Sequence, residues 1–451
     1  MRHVKSNSAQ QPTEPALALK LSRDLIRQSS ISPGNGHGSA ERRLRIALYS
    51  HDTMGLGHMR RNLLLAQEFA APPLEATILL ITGEYLAGAF QLPPRVDCLT
   101  LPAMHKEFDG RYRPANLDVS LQELASLRAN VILAAVKGFD PDLLIVDKVP
   151  RGARRELEPT LDYLHMHTST RCVLGLRDIL DDPGVTRREW RKAANEEAIR
   201  DYYQAVWVYG DPSVYDPVRE YGFLPHTAAK VRYVGYLDQS SRTMSDEAEK
   251  KRLFESFGLP GDKLALCVVG GGQDGAALAE AFALADMPQN TTGLIVGGPY
   301  MPDDVRERLR NIEAARPRLK VLDFTPDAAL LLSLADYVVA MGGYNTVMEL
   351  LSFNKRALVV PRVEPRLEQW IRAVRLSRLG LLDVLHPDEL SPNKVTEWLA
   401  SDLPNPPRAE DLINMSGLAR LSDLVEEMLA VTTSPVYIRD QTMSGDWQHV
   451  S

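Results

Sequence analysis

Three segments of this 451-residue chain place glycines just after a short apolar run and just before a helical pattern. The first is Ser50-His51-Asp52-Thr53-Met54-Gly55-Leu56-Gly57-His58-Met59-Arg60-Arg61, the second Gly270-Gly271-Gly272-Gln273-Asp274-Gly275, the third Gly342-Gly343-Tyr344-Asn345-Thr346-Val347-Met348-Glu349. Glycine lets the backbone turn sharply and approach a ligand closely, and the N-terminus of the following helix favours an anion. In the first turn His58 stands at the helix start, where it can meet a substrate hydroxyl, framed by Gly55, Gly57 and Arg60. A tight strand–helix connection with Arg60 and Arg61 solvated is the plainer reading of the same residues. The second turn contains G-x-G-x-x-G. The next strand, however, ends Val296-Gly297-Gly298-Pro299 and lacks the acidic residue of a nicotinamide site, which leaves a phosphate of another ligand. In the third, Asn345 or Thr346 is expected to cap the helix, and Glu349 falls in its first turn, where the dipole favours a carboxylate. Asp147, at the end of the run Leu143–Val146, can orient or replace a catalytic base.

These turns need elements to hold them. Apolar runs at Leu44–Tyr49, Thr77–Ile81, Leu143–Val146, Cys172–Leu176 and Ala205–Tyr209 alternate with helical patterns. The series restarts after Gly235 with Leu264–Val269, Leu294–Val296, Lys320–Leu322, Tyr337–Val339 and Ala357–Val360. Continuous apolar strands separated by helices predict parallel sheets covered on both faces. The expected fold class is α/β, with two doubly wound, Rossmann-like domains over residues 44–235 and 236–433. They face each other across a cleft at the carboxyl ends of their strands. Residues 1–43 and 434–451 read as polar tails.

Composition removes several classes. Apolar residues at 44% and charged residues at 25% are ordinary globular proportions. Lys+Arg 52 against Asp+Glu 59 gives −7, which argues against a nucleic-acid partner. The richest apolar stretch, Ala328 to Ala340, is broken by Ser333 and Asp336 and falls short of the ~18 residues of a membrane span. Cys98, Cys172 and Cys267 are too far apart for a disulfide or zinc framework. With no apolar signal segment near the start, the expectation is a cytoplasmic chain. Arg362, Arg366, Arg372, Arg375 and Arg378, interleaved with Glu364 and Glu368, read as a solvated helix face. That face could also neutralise a diphosphate or bring the chain peripherally to an anionic lipid surface on the inner face of a membrane. Asp140-Pro141-Asp142 has the spacing of a metal-holding pair, but its proline marks a strand start, and no metal is expected.

The second half resembles the C-terminal domain of glycosyltransferase family 28, the family typified by the N-acetylglucosaminyltransferase that makes lipid II. The matching text runs from Val268-Val269-Gly270-Gly271 through Leu322-Asp323-Phe324-Thr325-Pro326-Asp327, Ala335-Asp336 and Gly343 to Glu349. It continues to Val360-Pro361, Glu368-Gln369, Arg372-Ala373 and Leu379-Gly380. Met341-Gly342-Gly343-Tyr344-Asn345-Thr346, taken with Gly55-Leu56-Gly57-His58-Met59-Arg60-Arg61, is similar to a bacterial group of predicted glycosyltransferases. Gly272 and Gly342 stand where the lipid II enzyme has serines, and Met341 where it has an arginine. The resemblance implies the GT-B architecture, with an acceptor domain followed by a nucleotide-sugar domain. It implies that the backbone near Phe324 and Thr325 meets the uracil and Glu349 the ribose hydroxyls. Gly270, Gly271, Gly272 and Gln273, with Gly342, Gly343, Asn345 and Thr346, would hold the diphosphate, and Glu368 and Gln369 the donor sugar. Gly55, Gly57 and Arg60 then belong to the acceptor-side loop.

The expected function is transfer of a hexose-type sugar from a nucleotide diphosphate, UDP first, to an acceptor hydroxyl that the sequence does not identify. His58 is the first choice of base and Asp147 the second; backbone amides replace a metal, and inversion follows from the resemblance alone. The alternatives on the same architecture are a nucleotide-sugar 2-epimerase or hydrolase, and a non-catalytic nucleotide-sugar sensor.

Overall fold

The computed structural model describes residues 42–430 apart from 52–56, 85–86, 89, 107–110, 243–246, 326–327 and 403. Gly55, Pro326, Asp327 and nearly all of both tails lie outside the described residues.

The first sheet has seven strands: β1 (Arg45–Ser50), β2 (Thr77–Thr82), β3 (Val96–Thr100), β6 (Leu143–Asp147), β7 (Arg171–Arg177), β8 (Ala205–Tyr209) and β9 (Val231–Tyr233). Two short antiparallel segments, β4 (Met104–Lys106) and β5 (Tyr112–Pro114), stand apart from it. The second sheet has six strands: β10 (Lys263–Val268), β11 (Thr291–Val296), β12 (Leu319–Leu322), β13 (Tyr337–Ala340), β14 (Ala357–Val359) and β15 (Asp383–Val384). All pairings within the two large sheets are parallel. The expected α/β architecture of two doubly wound sheets is therefore present. Leu-Leu-Ile-Val-Asp in β6 and Ala-Val-Trp-Val-Tyr in β8 are buried at every position, as strands covered on both faces must be.

Every apolar run read from the sequence is a strand. The pattern missed β3, β9 and β15, all at sheet edges, together with the β4–β5 pair. An edge strand has a partner on one side only; β9 and β15 are also short, and β3 has one buried residue among five, so little apolar patterning marks them.

The sheet orders are β3-β2-β1-β6-β7-β8-β9 and β12-β11-β10-β13-β14-β15. The direction of winding reverses between β1 and β6 in one domain and between β10 and β13 in the other. Such switch points open a crevice at the carboxyl ends of the strands. Five helices bear on it: α1 (Gly57–Ala70), α2 (Ala276–Leu284), α3 (Tyr344–Ser352), α4 (Glu368–Ser377) and α5 (Gly417–Ala430). The last of these does not stay with the second domain. Tyr236 N donates to Asn414 O at 2.8 Å and Gly417 N to Tyr236 O at 3.0 Å. These bonds steer α5 back to pack on α1, so the reading of 236–433 as one continuous domain needs this crossing added.

A row of ion pairs closes the domains on each other. Arg372 of α4 and Asp178, just after β7, are both fully buried, with Nη2 2.6 Å from Oδ1 and Nε within 3.1 Å of both carboxylate oxygens. Arg372 also donates to Gly342 O at 3.2 Å. Arg366 meets Asp181 and Glu189, each at 2.9 Å, and Arg375 meets Glu220 at 3.4 Å. Removing one partner of a buried pair leaves an uncompensated charge and costs about 3–5 kcal/mol. Arg372→Met should lose that much in chemical denaturation, and adding Asp178→Leu should restore most of it.

Candidate active site

At the first switch point, His58 of α1 reaches the end of β6, with Nδ1 2.7 Å from Asp147 Oδ2. Arg61, one turn further along α1, places Nη2 2.5 Å from both Asp147 oxygens. Burial opposes ionisation of Asp147, but Arg61 and then His58 outweigh it and hold the carboxyl well below its usual range. A permanent carboxylate accepts the Nδ1–H of His58, which fixes the tautomer and leaves Nε2 as the basic nitrogen. Asp147 itself is 2% exposed with both oxygens engaged, so it suits orientation and not the reserve base role expected of it. Arg61, solvated on the plainer reading of this turn, is 2% exposed and lies over the rings of Tyr209 and Tyr344. His51, at the end of β1, sets its ring 5.0 Å from that of His58.

At the second switch point, the glycines divide into two kinds. Gly272 has φ +89°, and a Cβ there would meet Gly298 Cα at 2.9 Å; a Cβ on Gly298 would strike the Gly271 carbonyl carbon at 2.0 Å. These residues permit two backbone turns to touch. Around Gly270 and Gly343, by contrast, nothing lies within 4 Å of where a Cβ would stand, which leaves room for a ligand. Gly343 is the N-cap of α3 and no side chain caps the helix, so its first amides remain available. Asn345 and Thr346 therefore do not cap: Asn345 lies inside the helix and donates Nδ2–H to Gly57 O across the cleft at 2.9 Å, while Thr346 is buried. Gln273 is exposed, and Phe324 and Thr325 follow β12 on the same carboxyl edge, half-buried.

Glu349 departs most from expectation. It sits in the second turn of α3, not the first, and is 1% exposed rather than solvent-facing. Its Oε1 lies 2.5 Å from Nη2 of Arg60, a residue of the opposite domain. Deleting it would therefore disturb packing, because its ion pair with the part-buried Arg60 is lost. Glu368 is likewise buried and pairs with Arg177 at 2.8 Å and Arg362 at 3.4 Å. Gln369 accepts Arg362 N at 3.0 Å. The arginine stretch is thus not a plain solvated face: Arg362, Arg366, Arg372 and Arg375 are all paired with carboxylates. Asp140-Pro141-Asp142 leads into β6 as the proline suggested, and Asp142 accepts Arg45 N at 2.8 Å, which anchors the neighbouring start of β1. Among the described residues, no cluster of His, Cys, Asp or Glu is arranged to hold a metal.

The model of the glycosyltransferase family 28 C-terminal domain matches residues 265–428, from β10 through most of α5. This half is similar to that domain. The chain is also 25% identical over 169 residues to UDP-N-acetylglucosamine--N-acetylmuramyl-(pentapeptide) pyrophosphoryl-undecaprenol N-acetylglucosamine transferase of Aquifex aeolicus (strain VF5). That match takes 36% of this chain and 47% of the relative, so the chain spans about half the length of the curated relative it matches. The whole fold is that of GT-B glycosyltransferases. The calicheamicin glycosyltransferase CalG4 superposes with TM-score 0.55 at 16% identity, over 87% of this chain and 100% of that one. A structure from Listeria monocytogenes, provisionally assigned as a UDP-N-acetylglucosamine 2-epimerase, gives TM-score 0.57 at 13% identity over 88% and 99%. The UDP complex of UDP-glucose: anthocyanidin 3-O-glucosyltransferase gives 0.51 at 13% over 88% and 96%.

Sequence reading found His58 and Asp147 but not Arg61, Arg177, Asp178 or Lys148. Lys148, directly after Asp147, holds φ +67°, a conformation uncommon outside glycine and asparagine. Burial works against the charge on Glu368, but Arg177, then Lys148, Arg372 and Arg362, hold its carboxyl down to about 2 from 4.5. Its stabilisation is therefore fully present above the unfolded value and is lost as pH falls through the folded one. Glu368→Gln should lower stability by about 3 kcal/mol at pH 7. The difference between variant and wild type should shrink as denaturation is repeated from pH 4.5 toward 2.

Proposed function

We propose that the chain is a glycosyltransferase that moves a hexose-type sugar from a UDP-linked donor to an acceptor hydroxyl, with inversion and without a metal. The observation that carries this reading is the opposition of the two switch points. His58, oriented by Asp147, stands at the start of α1, and the open glycine start of α3 is tied to the same helix by Asn345 and Gly57. The resemblance of the second domain supports a nucleotide diphosphate on the family 28 side, with the uracil near Phe324 and Thr325 and the diphosphate at Gly270–Gly272 and Gly342–Thr346.

In this mechanism Nε2 of His58 takes the acceptor proton as the acceptor oxygen attacks the anomeric carbon. The bond from that carbon to the β-phosphate oxygen breaks, and its electron pair leaves with UDP. Free amides at Gly343 and the first turn of α3, with the helix dipole behind them, stabilise the departing charge. Asp147 stabilises the imidazolium and, held ionised by Arg61, does not compete for the proton. Glu368 and Gln369 face the donor sugar, and the acceptor is met by the loop ending at Gly57.

Incubation of UDP-N-acetylglucosamine and UDP-glucose with a cell extract as acceptor source, followed by mass spectrometry, should show a new glycoside and released UDP in the presence of EDTA. His58→Ala should cut turnover by about 10²–10⁴ with UDP affinity nearly unchanged. Formation of N-acetylmannosamine from UDP-N-acetylglucosamine without acceptor would establish instead the 2-epimerase reading, which the Listeria neighbour favours. Loss of activity on chelation, restored by Mn²⁺, would overturn the metal-free mechanism.

A further inference from the structure

Residues of the first domain reach the donor half of the cleft, and Arg60 is among them. Arg60 lies on α1, yet its Nη2 is 2.5 Å from Oε1 of Glu349 on α3, with the arginine side chain 24% exposed and the carboxylate 2%. Glu349 is the group to which the proposed function gives the ribose hydroxyls. The two helices touch at their starts, because Asn345 Nδ2 donates to Gly57 O at 2.9 Å. At ~1.5 Å per residue, Glu349 lies roughly 7–8 Å along the helix from Tyr344 at the glycine start of α3. A long, partly exposed arginine side chain anchored beside that start covers such a span by changing rotamers.

The partners differ in what satisfies them. A carboxylate is satisfied by neutral donors such as two vicinal hydroxyls. A guanidinium needs an anion, and its planar fork fits a diphosphate as well as a carboxylate. When a nucleotide places its hydroxyls on Glu349, it displaces Arg60 and presents two negative phosphates a few ångströms away. We infer that Arg60 is a donor-gated catalytic residue: paired with Glu349 in this structure, it transfers to the diphosphate once the ribose takes its place on the carboxylate. There it neutralises the electron pair left on the β-phosphate oxygen as the anomeric bond breaks, while the acceptor proton passes to His58. The exchange also explains why Arg60 comes from the acceptor domain: it delivers its charge only when the two domains are closed.

The inference rests on the proposed nucleotide-sugar reading, and its test separates the two. The full chain and its Arg60→Ala, Arg60→Lys and Arg60→Gln variants are titrated calorimetrically with uridine and with UDP, and UDP release from UDP-N-acetylglucosamine and UDP-glucose is timed. Arg60→Ala should bind uridine about tenfold more tightly, because the competing guanidinium is gone, and gain less or nothing for UDP. Its kcat should fall by about 10²–10³, the usual loss for one electrostatic donor to a developing anion. Arg60→Lys should recover part of kcat but not the bidentate contact, and Arg60→Gln serves should the alanine variant fail to fold. Unchanged kcat, or uridine affinity equal to wild type while UDP still binds, overturns the gating role alone. A wild type that binds neither uridine nor UDP overturns the donor reading and this inference together.

Discussion

Arg372 and Asp178 meet with no solvent exposure where the second domain lies against the first, and the cleft takes its shape from that contact. Two charges in such a place are costly unless paired and hydrogen-bonded. Here the guanidinium is shared between the carboxylate and the carbonyl of Gly342, and Tyr236 adds its hydroxyl at 3.3 Å to Asp178. The pair therefore joins three things: the end of β7, the start of α4 and the glycine turn that opens α3. Moving either domain would expose or unpair it, which gives the closed arrangement a defined geometry instead of a sliding one.

The same seam explains the local electrostatics. Arg177, Arg362 and Lys148 gather around Glu368, and Arg61 with His58 around Asp147, so both buried carboxylates stay ionised against the cost of their burial. A carboxylate fixed in this way acts as a constant field. Asp147 uses it to hold an imidazole; Glu368 uses it to hold cations at the cleft. Neither is left free to titrate near neutral pH.

Glycine serves both packing and chemistry in the second domain. Gly271, Gly272 and Gly298 bring two backbone turns into contact, which a side chain would prevent. Gly343 keeps the start of α3 uncovered, and an uncovered helix start with no side-chain cap is suited to an anion. Arg60 and Glu349 add a charged pair between the domains at that place.

The sequence alone determined the parallel sheets, because strands buried on both faces are written as uninterrupted apolar runs such as Leu143–Val146 and Ala205–Tyr209. It also determined where the turns fall, since glycines after those runs mark the carboxyl ends of the strands. It pointed to His58 and Asp147 for the same reason: each stands at such an end. Edge strands were not legible, because β9 and β15 are short and paired on one side only. Nor were the partners of the charges. Arg60, Arg61 and Arg372 look alike in the chain, each a basic residue on a helix, and local sequence favours solvent for all of them. Only the tertiary structure decided that Arg61 pairs with Asp147, that Arg372 fills the seam against Asp178 and that Arg60 reaches Glu349. Those pairings join residues separated by 86, 194 and 289 positions, and a long-range ion pair leaves no periodicity in the sequence between its ends.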